Sequence, residues 1–127
     1  MILRRAVLLG LLTAAGLAAG PLLAQDRVPS TSGQGAVLRG LDKVNGQTVD
    51  IELSNGGTAE VFGLDVALAD CRYPTDNPTG DAFAYLTIWE RGKAQAIFEG
   101  WMIASAPALN ALDHARYDVW VLRCITS

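Results

Sequence analysis

Two cysteines, Cys71 and Cys124, stand alone behind an apolar leader, and this combination constrains the chain more than any other feature. The first 24 residues run from Arg4-Arg5 through the apolar stretch Ala6–Ala19 to a short exit at Ala24. That order (charge, apolar run, small residue) is the order of a secretory signal peptide. Export to an oxidising compartment predicts that two lone thiols pair. They lie 53 positions apart, so the bridge ties the last strand to the end of a middle one. The spacing is not C-x-x-C, and only Arg72 and Arg123 adjoin the thiols, so a structural staple is favoured over a redox pair.

The leader has one rival reading. Ala6–Ala24 is 19 residues long, and a spanning helix needs ~20 apolar residues, so a retained anchor competes with cleavage. Pro21, and Ala24 before polar Gln25 and Asp26, favour cleavage after Ala24 on the general secretory route to the periplasm. No cysteine follows the apolar run, which excludes a lipoprotein anchor. The organisation is then a signal peptide at 1–24, a flexible polar arm at 25–35 (QDRVPSTSGQG) and one β domain at 36–127. Without Arg4 and Arg5, eight basic residues face thirteen acidic ones, a net charge of −5. Such a surface repels nucleic acid and anionic lipid. Membrane contact is expected only through a partner or an uncleaved leader.

From Ala36 onward, short apolar runs alternate with turn signals, the pattern of an all-β chain. Strands are predicted at Ala36–Val44, Gln47–Leu53, Glu60–Phe62, Leu64–Cys71, Ala82–Trp89, Ala94–Ile103 and Tyr117–Ile125. Asn45-Gly46 and Ser54-Asn55-Gly56-Gly57 punctuate the first of them as hairpin turns. Pro74–Gly80 is a rigid polar loop, and Pro107–Leu112 has the makings of a short helix with Pro107 at its first position. About seven short antiparallel strands, one short helix and one disulfide make a small barrel or sandwich.

No catalytic or cofactor motif stands out. His114 is the only histidine, and Ser105 and several Asp residues suggest a Ser/His/Asp hydrolase only in outline, without a G-x-S-x-G elbow. Zinc lacks ligands once the cysteines pair. Asp76, Asn77 and Asp81 offer oxygens for calcium, but their spacing is that of ordinary turn formers. Trp101 and Trp120 read first as core residues. If the segment after Gly100 is exposed, Trp101, Met102, Ile103, Leu109, Leu112, His114 and Tyr117 form the best partner-binding candidate, because tryptophan and tyrosine dominate interface hot spots.

Three stretches carry a family resemblance: VLRGLDKVNGQTVDIEL (37–53), CRYPTDNPTGDAFAYLTI (71–88) and GWMIASAPALNALDHARYDVWVLRC (100–124). Together they resemble an alphaproteobacterial family of exported proteins known only as a domain of unknown function. That family often has proline after the histidine, where this chain has Ala115, so the stiffness of that turn does not carry over. The resemblance implies no catalytic residues and no cofactor. It supports the cysteine pair and the export leader, and it nominates the respiratory NADH:quinone oxidoreductase as a partner. The resulting expectation is an exported periplasmic accessory module without catalysis, docked to an envelope or inner-membrane protein complex. A small-ligand or Ca2+-binding β-barrel and a hydrolase using His114 with Ser105 are the alternatives.

Overall fold

The computed structural model describes residues 29–127, so the leader at 1–24 and residues 25–28 of the polar arm lie outside it. Eight strands follow in order: β1 (Ser30–Ser32), β2 (Gly35–Asp42), β3 (Gln47–Ser54), β4 (Thr58–Val61), β5 (Leu64–Pro74), β6 (Phe83–Glu90), β7 (Ala96–Ile103) and β8 (Tyr117–Ile125). They form two antiparallel sheets. The larger has the order β1-β5-β6-β7, with β4 sharing the β1 edge of β5, and the smaller has the order β3-β2-β8. The inner faces meet in one core drawn from both sheets, including Leu38, Val119 and Val121 from one and Leu64, Val66, Leu86 and Ile88 from the other. Hydrogen bonding does not close the sheets into a barrel among the described residues, so the architecture is a sandwich. The helix expected after Pro107 is a single 3₁₀ turn, Pro107–Leu109, with Ala106 at its N-cap and Pro at its start.

The strand absent from the sequence reading is β1. It falls in the polar arm and pairs Ser30, Thr31 and Ser32 with Pro74, Tyr73 and Arg72. Three hydroxyl residues carry no hydrophobic alternation, so no periodic signal marks them. Arg72 holds them instead, through Nε to Ser30 Oγ at 2.8 Å, Nη1 to Ser32 Oγ at 2.8 Å and Nη2 to the Ser30 carbonyl at 2.7 Å. From residue 30 onward the arm is therefore part of the fold.

Two bulges bring the cysteines inward. In β5, Leu64, Val66 and Leu68 face the core at a period of two, which would next turn Asp70 inward and Cys71 outward. A register shift between Leu68 and Asp70 resets the alternation, and Cys71 is buried. In β8, Val119 and Val121 face inward, and the shift opposite Val37/Leu38 skips Leu122 and brings Cys124 in. The two residues then meet with Cα atoms 5.6 Å apart, and the disulfide joins the larger sheet to the smaller. Beside it the chain changes sheet, with Gly33 N donating to the Cys71 carbonyl and Gln34 N to the Ile125 carbonyl.

Gly40 shows why a gap in the hydrophobic pattern of β2 matters. A Cβ there would lie 2.5 Å from Val61 Cγ1, so the missing side chain lets β4 seat against the smaller sheet. The segment between β7 and β8 closes one side of the sandwich by sending Leu112 into the core.

Candidate functional site

The fold gives most of the chemically reactive side chains a structural task. His114 lies three residues before β8 with its side chain 16% exposed. Its Nδ1 accepts hydrogen bonds from the Arg116 and Tyr117 amides at 3.0 and 3.1 Å. That assigns the ring proton to Nε2, which donates to Glu90 Oε1 at 3.0 Å. Ser105 is at the other end of β6: its Oγ donates to Asp81 Oδ2 at 2.6 Å, and its amide to Asp81 Oδ1 at 2.9 Å. Glu90 closes β6 and Asp81 precedes it, so the two groups are separated by about the 23 Å length of that strand. The Ser105–His114 pair of the hydrolase reading is not assembled. Asp81 is also occupied, so it is not an open member of the calcium loop with Asp76 and Asn77. Among the described residues, no three His, Cys, Asp or Glu side chains converge on a point where a metal could sit.

One buried charge belongs to this architecture. Asp42, 3% exposed at the end of β2, receives a fork from Arg116, with Nη2 to Oδ2 at 3.0 Å and Nε to both oxygens at 3.3 Å. The hydrogen bond from Arg116, reinforced by the Val44 amide, outweighs burial and holds the Asp42 carboxyl below its ordinary value. A carboxyl depressed on folding stabilises the protein above its unfolded pKa, about 3.9, and that contribution is lost as the pH falls through the folded value. Asp42→Asn should therefore lower the melting temperature most at neutral pH. The gap from wild type should close on acidification below about pH 4, as read by thermal denaturation over a pH series. A gap that stays constant to pH 2 would contradict the assignment.

The seven partner-binding candidates do not share one surface. Met102 and Leu112 are 2% and 6% exposed and belong to the core, because Met102 falls on the inward register of β7 and Leu112 plugs the open side. Tyr117 is half-buried, stacked between Phe62 and His114. Leu109, at 74% exposure, projects from the 3₁₀ turn. Trp101 and Ile103 alone reach the outer face of the larger sheet. Trp101 is 41% exposed, against its reading as core. Trp120 is half-buried and packs against the core from β8.

Around Trp101 the outer face is apolar. Tyr85 lies directly across the ladder from Trp101 and Phe83 across from Ile103. The rings of Tyr85 and Trp101 meet edge to face, with centroids 5.3 Å apart and planes at 76°. Pro74, Phe83, Trp101 and Ile103, with Ser30 and Arg72, line a groove of about 270 Å³. The Trp101 carbonyl is tied by Asn110 Nδ2 at 2.8 Å, which fixes the residue presenting the ring. The Tyr85 hydroxyl donates to Glu99 Oε2 at 2.9 Å, and that bond raises the phenol above its ordinary pKa, so it stays a donor. Phe83, Tyr85 and Pro74 are the site residues that sequence reading missed. A signal was present: in FAYLTIW one alternating set is Ala, Leu and Ile and the other, apart from Thr87, is aromatic, which marks a strand with a second, largely non-polar face.

No helix among the described residues is long and apolar enough to cross a membrane. No curated protein and no solved structure matches the chain. Residues 36–124 match the model of a bacterial family described as an uncharacterized protein conserved in bacteria (DUF2155), and the chain belongs to that family.

Proposed function

We propose that the protein is an exported, non-catalytic accessory module whose outer sheet face docks to a protein complex of the cell envelope or inner membrane. The observation that carries this reading is Trp101, a large aromatic ring held out at 41% exposure in an apolar groove. An aromatic anchor in a preformed hollow is the usual centre of a protein interface. His114, Ser105 and Asp81 are committed to hydrogen bonds that hold loops in place, which favours docking over hydrolysis. The leader and the disulfide favour the periplasm as the place of work. The respiratory NADH:quinone oxidoreductase is a nominee for the complex.

The test is photo-crosslinking in the exporting cell, with the reactive residue at position 101 or at position 52 on the smaller sheet. The expected result is one discrete adduct from position 101 and none from position 52, on a chain whose N-terminus is Gln25. Equal adducts from both positions, or none from 101, would remove the groove as the docking surface.

A further inference from the structure

We propose that the occupant of the Trp101 face is a cationic segment of a protein partner, with an apolar side chain in the groove and a Lys or Arg between Trp101 and Glu99. The inference deepens the docking reading above and rests on it.

Charge selects the occupant. Arg72, the only cation among the described residues that lines the groove, directs four hydrogen bonds to Ser30, Ser32 and Asp70, so it offers little to an acidic partner. Glu99 is in the opposite condition. It stands two residues before Trp101 on the same face of β7, and no basic side chain among the described residues forms an ion pair with it. One of its oxygens takes the Tyr85 hydroxyl, which aims the carboxylate and leaves the other oxygen for a ligand.

The rest of the face has the same sign. Glu60 and Asp65 share the single cation Arg91 at 3.4 and 4.0 Å, and Asp70 has Arg72 at 3.4 Å. Four carboxylates therefore face two guanidinium groups. An indole ring is also the best aromatic platform for a cation. Main-chain pairing along β7 is already blocked at the Trp101 carbonyl by Asn110, so recognition falls to side chains on the face.

The test uses the purified oxidised protein and three fluorescein-labelled peptides of equal length, read by anisotropy. One alternates Lys and Leu, one alternates Glu and Leu, and one alternates Lys and Ser. The Lys–Leu peptide is expected to bind and the other two to bind at least about tenfold more weakly. Trp101→Ala should weaken the Lys–Leu peptide by roughly tenfold or more. Glu99→Gln should weaken it by about threefold at low salt, a difference that shrinks at high salt.

Equal binding of the Glu–Leu peptide, or no effect of Glu99→Gln, overturns the cationic occupant. Equal binding of the Lys–Ser peptide, or no effect of Trp101→Ala, overturns the groove contact. Absence of Lys–Leu binding at about 1 mM overturns both. Near-ultraviolet circular dichroism confirms that each variant is folded. Crosslinking at position 101 that succeeds while the peptide series fails would leave the docking surface standing and remove only its cationic partner.

Discussion

Cys71→Ser is expected to lower the melting temperature by about 15–30 °C relative to the oxidised wild type. Opening a closed loop of 53 positions restores chain entropy to the unfolded state worth about 4 kcal/mol. A domain of this size shifts by about 4–8 °C for each kcal/mol. The location of the bridge adds a second reason. It links β5 to β8, one strand from each sheet, at the corner where Gly33 and Gln34 carry the chain across. Cys124→Ser should give the same loss, and the double variant no more than either single one, because all three remove the same bond. Thermal denaturation followed by circular dichroism measures all of them. A loss of only a few degrees would show that the interface between the sheets is held by packing alone.

The second large effect is expected at Gly35. A Cβ built on this residue lies 2.1 Å from the Leu53 carbonyl oxygen of the neighbouring strand, and the obstacle is backbone, which cannot swing aside. Gly35→Ala must push β2 and β3 apart at the end of their ladder, at a cost of about 3 kcal/mol. Gly56→Ala is the control. It also replaces a glycine, but in a turn at φ +86° with nothing within 4 Å, where the cost is the backbone term of about 1 kcal/mol. Urea denaturation of the two variants should separate them by about 2 kcal/mol. Equal losses would mean that the strands yield at Gly35.

The difference between these two glycines also marks how far the sequence could be read. Gly56 belongs to the turn segment Ser54-Asn55-Gly56-Gly57, whose composition announces a turn by itself. Gly35 sits where the sequence offers only a polar arm, and its constraint comes from a carbonyl eighteen positions away. The candidate site divides in the same manner. The run Trp101-Met102-Ile103 was legible as a strand end, and tryptophan in such a place is a fair nomination. Which of its side chains point outward depends on the pairing of β7 with β6, and the core takes Met102 while Trp101 is left on the outer face. The other half of the groove, with Pro74 and Phe83, lies more than fifteen positions upstream.

Alternation, turn residues and the expectation that two lone thiols pair were enough to point to an all-β domain, most of its strand limits and its single bridge, because each is a local signal or a matter of counting. The tertiary structure decided what depends on neighbours across the sheets. It recruited Ser30–Ser32 as a strand through Arg72, placed the bulges that turn Cys71 and Cys124 inward, and engaged His114 and Ser105 at opposite ends of β6. Among the described residues it also left one face of the larger sheet without a covering layer. A one-residue shift in register moves every later side chain to the opposite face, so the inward or outward assignment on which both the core and the proposed docking surface rest is settled only when the strands are paired.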